Sequence, residues 1–142
     1  MLFRFVSFVQ TGDYFRWVSG VLDVNSQNPG TATVTATLSS VPSGIKVKAL
    51  IIAGFQSQSS VKAMYIRDLD AVDEAPNLSS APRSPGNNVV VTNGATNTDS
   101  TAQMEIMTNT SQQIGYRFDT SGANDFAEIV THGWTDRRGR DD

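Results

Sequence analysis

Apolar and polar residues alternate with a period of two along most of the chain, the spacing that sorts side chains onto the two faces of a β-strand. In TATVTATL, Ala32, Val34, Ala36 and Leu38 fall on one face and Thr31, Thr33, Thr35 and Thr37 on the other. That pattern predicts a strand with one dry and one wet side. IKVKALIIAG begins the same way, with Ile45, Val47, Ala49 and Ile51 opposed to Lys46 and Lys48, and then becomes apolar on both faces at Leu50 and Ile52. It predicts a strand in the middle of a sheet. Comparable runs lie in DYFRWVSGVLD, SVKAMYIRD, NNVVVT, TAQMEIMTN, QQIGYRFDT and FAEIVTHGW. With the N-terminal MLFRFVSFVQ they amount to about eight or nine strands.

Between these runs stand NSQNPG, SVPSG, APRSPGNN and TSGAND, in which glycine supplies positive φ and proline pre-sets a turn. Helical signal is confined to DLDAVDEAP, enough for a turn or two before Pro76 stops it. Two connections are longer: QNPGT, and the stretch from Ala75 to Asn88, whose three prolines and small polar residues predict a surface excursion. Many short strands joined by such turns predict an all-β fold, an antiparallel β-sandwich of jelly-roll type with about eight strands.

Length and charge narrow the choices. The chain has 142 residues, no cysteine and a formal net charge of -3. One domain over 1–142 can bury its own core, and no disulfide or thiolate chemistry is available. The acidic balance argues against nucleic acid or an anionic membrane as a partner. The opening MLFRFVSFVQ is too short to span a bilayer, is interrupted by Arg4, and is followed by no small-residue cleavage site, so it reads as a strand.

Catalytic constellations are weak. His132 is the single histidine and stands at the end of the last predicted strand, a setting that favours a structural role over a general base. No serine carries a nucleophile-elbow pattern, and a zinc site would need mostly carboxylate ligands. Asp68, Asp70, Asp73 and Glu74 suggest calcium but lack the glycine and spacing of an EF-hand loop, so a solvated loop is the preferred reading. The expectation is a non-enzymatic protein without metal or cofactor. Tyr14, Phe15 and Trp17 surround Arg16 in one strand; core packing is preferred over a stacking platform for bases or sugars.

Both termini suggest contacts. Phe3, Phe5 and Phe8 crowd the N-terminal strand and require a covering surface, which makes residues 1–10 a candidate interface strand. In HGWTDRRGRDD, Arg137, Arg138 and Arg140 are balanced by Asp136, Asp141, Asp142 and the terminal carboxylate, so a nucleic-acid hook is a poor reading. A latch is a better one: Trp134 anchors the tail in apolar surroundings while the three arginines pair with carboxylates nearby or across a subunit boundary.

TNTSQQIGYRFDTSGANDFAEIVTHGWTDRRGRDD resembles the C-terminal half of small β-sandwich virion proteins of tailed bacteriophages, most specifically over residues 108–117 and 132–142. VPSGIKVKALIIAG at 41–54 is similar to that family's central strand. The family includes capsid cement or decoration proteins and tail-fibre domains. The resemblance implies a virion structural role and leaves its location open. A short chain with no collagen-like, coiled-coil or repetitive shaft favours a capsid cement protein over a fibre, so the expectation is a protein of the phage capsid surface that binds the major capsid protein, bridges its subunits and forms a homo-oligomer, a dimer or trimer with the N-terminal strand at an interface. The alternative is a receptor-binding or fibre module touching host polysaccharide or protein through loop residues near Asp70 or Ser84. It carries no catalytic residue over to this chain.

Overall fold

The computed structural model describes residues 7–57, 61–78, 81–91, 98–120 and 122–137. Nine strands are formed among the described residues: β1 (Phe8–Thr11), β2 (Tyr14–Gln27), β3 (Val34–Thr37), β4 (Lys48–Ser57), β5 (Ala63–Arg67), β6 (Asn87–Val91), β7 (Thr98–Met107), β8 (Gln113–Phe118) and β9 (Phe126–Thr135). They make a five-stranded sheet in the order β1-β2-β9-β4-β7 and a four-stranded sheet in the order β3-β8-β5-β6. Every pairing is antiparallel. From β2 onward the pairs β2/β9, β3/β8, β4/β7 and β5/β6 nest one inside another, so the chain is one long hairpin rolled into two facing sheets. That topology is a jelly roll. The predicted sandwich is present, with β1 added to the eight strands as an edge.

The alternation read from the sequence sorts the core. Val47, Ala49, Ile51, Ala53 and Phe55 point inward, where they meet Ile114, Tyr116 and Phe118 of β8 and Ala127 and Ile129 of β9. Phe55 and Phe118 touch across the sandwich with ring centroids 4.4 Å apart. β4 is paired on both sides, as its doubly apolar stretch predicts. TATVTATL forms a shorter strand than its pattern suggests: Ala36 and Leu38 are buried and Val34 half-buried, while Ala32 lies outside the strand and exposed.

β5 is buried on both faces, because the connection from β5 to β6 folds back over it. Tyr65 is enclosed there; its hydroxyl accepts a bond from the Asn77 amide and donates one to the Asn77 carbonyl. DLDAVDEAP forms no helix. Leu69–Ala71 make a turn instead, stabilised by the Ala71 amide donating to the Asp68 carboxylate at 2.6 Å, and the chain then runs extended toward Pro76. Aspartate offers its own backbone this local bond in competition with a helical one.

Candidate interaction surface

Two irregularities in strand pairing build the aromatic end of the sandwich. Arg16 pairs with Gly133 and the next β2/β9 pair is Val21 with Thr131; on the other side Leu50 pairs with Gly133 and Ile51 with Thr131. His132 is unpaired on both sides: against β4 it is the extra residue, whereas against β2 the extra residues, 17–20, lie on β2 itself. A bulge inserts one residue and reverses the in-out phase beyond it. Ala127, Ile129 and Thr131 point inward, so unbroken alternation would send Trp134 outward with Glu128 and Val130; the bulge turns it into the core. Gly133 makes this possible. A β-carbon at 133 would lie 2.1 Å from the Phe15 carbonyl oxygen, so the β2 backbone can cross there only over glycine.

Trp134 is buried and stacks on Phe15, with centroids 5.1 Å apart and planes 4° from parallel. Trp17 leans against it at 5.2 Å, and Phe8 meets the Trp17 edge at 6.0 Å. Phe15 and Trp17 pack against the core, so the aromatic strand is a packing element. The Trp17 indole Nε1 is buried with no hydrogen-bond partner among the described residues. Phe8, by contrast, is 51% exposed at the outer end of the cluster.

The hairpin of β1 and β2 turns at Gly12 and Asp13, and β1 is the last strand of its sheet. Phe8, Val9, Val18 and Leu22 are exposed along it, and an open groove of about 990 Å³ runs between Phe8, Trp17, Val18, Leu22 and Ser39. Ordinary edge strands carry charge, proline or a covering loop to prevent pairing. β1 reads Phe-Val-Gln-Thr, with neither charge nor proline. The groove's serine wall is fixed by Asp23, at the second β2 irregularity. Its carboxylate accepts bonds from the Ser39 amide (3.0 Å), the Ser39 and Ser40 hydroxyls (both 2.8 Å) and the Thr131 hydroxyl (2.6 Å).

Beyond Trp134 the chain makes two contacts with the β1–β2 turn. The Asp136 amide donates to the Asp13 carbonyl at 2.9 Å, and Arg137 Nε lies 3.5 Å from the Asp13 carboxylate. Arg137 is largely exposed, so this ion pair directs the chain more than it stabilises it. Of the candidate interface residues, Phe8, Trp134 and Arg137 come together at this end of the molecule; Phe3, Phe5, Arg138 and Arg140 lie outside the described residues. Comparison with protein-family models and with curated proteins gives no match.

The acidic run is tied by bonds at the surface of the fold. Asp70 pairs with Lys46, and Asp73 accepts a bond from the Thr33 hydroxyl at 2.7 Å beside Arg67 and Arg117. Thr33 is the main reason the Asp73 carboxyl sits below its ordinary range, against partial desolvation and with help from the two arginines. Glu74 accepts the amides of Arg83 and Ser84, the Ser84 amide contributing most to its lowered pKa. These acids are therefore clasps holding the β5–β6 connection shut, a sharper role than a solvated loop. Among the described residues no group of three or more histidine, cysteine or acidic side chains is placed to hold a metal ion, and no helix is long and apolar enough to cross a membrane.

His132 stands over Gly20, within 3.3 Å of where a β-carbon there would lie, and belongs to the bulge. Val9, Val18 and Leu22 were not singled out by sequence pattern, because an isolated apolar residue at a wet position is common on any surface. Their meaning comes from being neighbours at one open edge.

Proposed function

We propose that this chain is a structural protein of a bacteriophage virion, a cement or decoration subunit that binds the outer capsid surface and bridges neighbouring major capsid subunits. The observation that carries the reading is an apolar edge: among the described residues, Phe8, Val18 and Leu22 are exposed along one groove beside β1, a strand without charge. An apolar edge of this kind marks a surface that another protein covers. The resemblance at residues 108–117 and 132–142 supplies the virion context, and the jelly roll is compatible with it. Fold alone would not support the function.

The mechanism is mass action. A subunit that binds the assembled shell and not its loosened components shifts the equilibrium toward the shell by its binding free energy at each site. The homo-oligomer is a dimer or trimer with N-terminal strands at subunit contacts. Particles lacking the protein should release DNA at a lower temperature, and adding the protein back should restore them. Val18→Asp with Leu22→Asp should leave the protein folded, since both side chains are exposed, and abolish the restoration. Unchanged thermal release without the protein would defeat the cement role.

A further inference from the structure

We infer a saccharide-binding site on the outer face of the five-stranded sheet, centred on Gly54 and selective for a neutral hexopyranose unit. Gly54 lies in the middle of β4, paired with Thr101 of β7 on one side and Glu128 of β9 on the other. Two residues along, Gln56 is paired with Asp99 and Phe126. The six residues form two rows of three across three strands, all on the face opposite the core, and enclose a depression of about 250 Å³.

The glycine is what makes this a depression, and nothing in the fold demands it. Its φ is not positive, and a β-carbon would meet Glu128 Cβ and Thr101 Cγ2 at 3.8 Å each, ordinary contact distances. Contrast Gly133, where the Phe15 backbone forbids any side chain. Glycine inside a central strand forfeits stability relative to alanine, and where packing does not require it, it marks a place that something else approaches closely.

The chemistry around the vacancy suits a sugar. A pyranose presents an apolar C–H face and a ring of hydroxyls; Phe126 is half-buried and can take the first, while Asp99, Glu128, Gln56 and Thr101 can bond the second. The side chains of Asp99, Glu128 and Gln56 make no hydrogen bond or ion pair among the described residues. Two carboxylates with no cation among the described lining residues repel uronic and sialic acids, so the site selects uncharged sugars. The inference does not depend on the cement reading, because the Phe126 end of β9 is opposite the Trp134 end that carries the apolar edge.

The test is an NMR titration of the full, isotope-labelled chain with methyl glycosides of glucose, galactose, mannose and N-acetylglucosamine, and with glucuronic acid. At least one neutral glycoside should shift the amides around Gly54, Asp99 and Phe126 at millimolar concentration, with glucuronate about tenfold weaker or absent. Gly54→Val should fill the depression and abolish the shifts while the rest of the spectrum stays native. No shift with any neutral glycoside would overturn the site, as would undiminished binding by Gly54→Val or glucuronate binding as well as the neutral sugars. Thermal release of DNA from particles reads the cement role separately, so either proposal can fail alone.

Discussion

Phe15 and Trp134 lie face to face between β2 and β9, 5.1 Å apart at their centroids and 4° from parallel, on a stretch where the two strands are joined through a glycine. The stack ties the N-terminal hairpin to the last strand, and with it the geometry of the open edge. Trp134→Ala should cost about 3–5 kcal/mol, the usual loss for a buried tryptophan. Trp134→Phe should cost less, because an aromatic face remains for Phe15. Urea unfolding of the variants checks the order.

Gly133 and Gly20 make a matched pair of substitutions. Alanine at 133 would drive its β-carbon into the Phe15 carbonyl and the Arg16 Cα, both backbone, whereas alanine at 20 would meet the Val130 and His132 side chains, which can move. Gly133→Ala should destabilise by about 3 kcal/mol or more and Gly20→Ala by about 1–2 kcal/mol. Equal losses measured by thermal unfolding would contradict backbone crossing as the reason for Gly133.

Lys62 and Asp125 form a buried ion pair at 2.5 Å, and the Asp125 carboxylate also accepts the Gly122 amide at 2.6 Å. Removing one partner leaves the other charge desolvated. Asp125→Ala should therefore cost about 3–5 kcal/mol. A double variant that also replaces Lys62 with Met should recover part of that loss, which a double-mutant cycle measures.

The clasp on the β5–β6 connection should open in acid. Asp73 and Glu74 both have depressed pKa values in the folded protein. Their contribution is complete above the unfolded carboxyl pKa of about 4 and is lost as pH falls from there through the lower folded values. Hydrogen exchange of the Arg83 and Ser84 amides should accelerate in that range, after correction for the intrinsic pH dependence. Glu74→Gln should expose them at neutral pH already. Protection that is the same in wild type and Glu74→Gln would show that the carboxylate does not hold the loop.

Much of the sandwich was written in the alternation. Val47, Ala49 and Ile51 announced the inner face of β4, and the apolar Leu50 and Ile52 announced that strand's place inside a sheet, because a period of two follows directly from strand geometry. The aromatic strand read as packing for another reason, the acidic balance that opposes a polyanion stacked on it. The acidic run was not legible as a clasp, since its partners Lys46, Thr33, Arg117 and the amides of Arg83 and Ser84 are remote in sequence and meet only when the loop closes.

By itself, then, the sequence determined an all-β antiparallel sandwich, a charge balance unfavourable to polyanions and the absence of thiol chemistry. These depend on composition and local period alone. Tertiary structure decided the rest. Trp134 faces the core because His132 is an extra residue against β4, a phase change that alternation within β9 could not foretell. Phe8, Val18 and Leu22 became a surface through the fold of the β1–β2 hairpin, and Gly54 a vacancy through strand neighbours far away in the chain. Side-chain direction is a local property of a strand; what lies beside it belongs to the sheet.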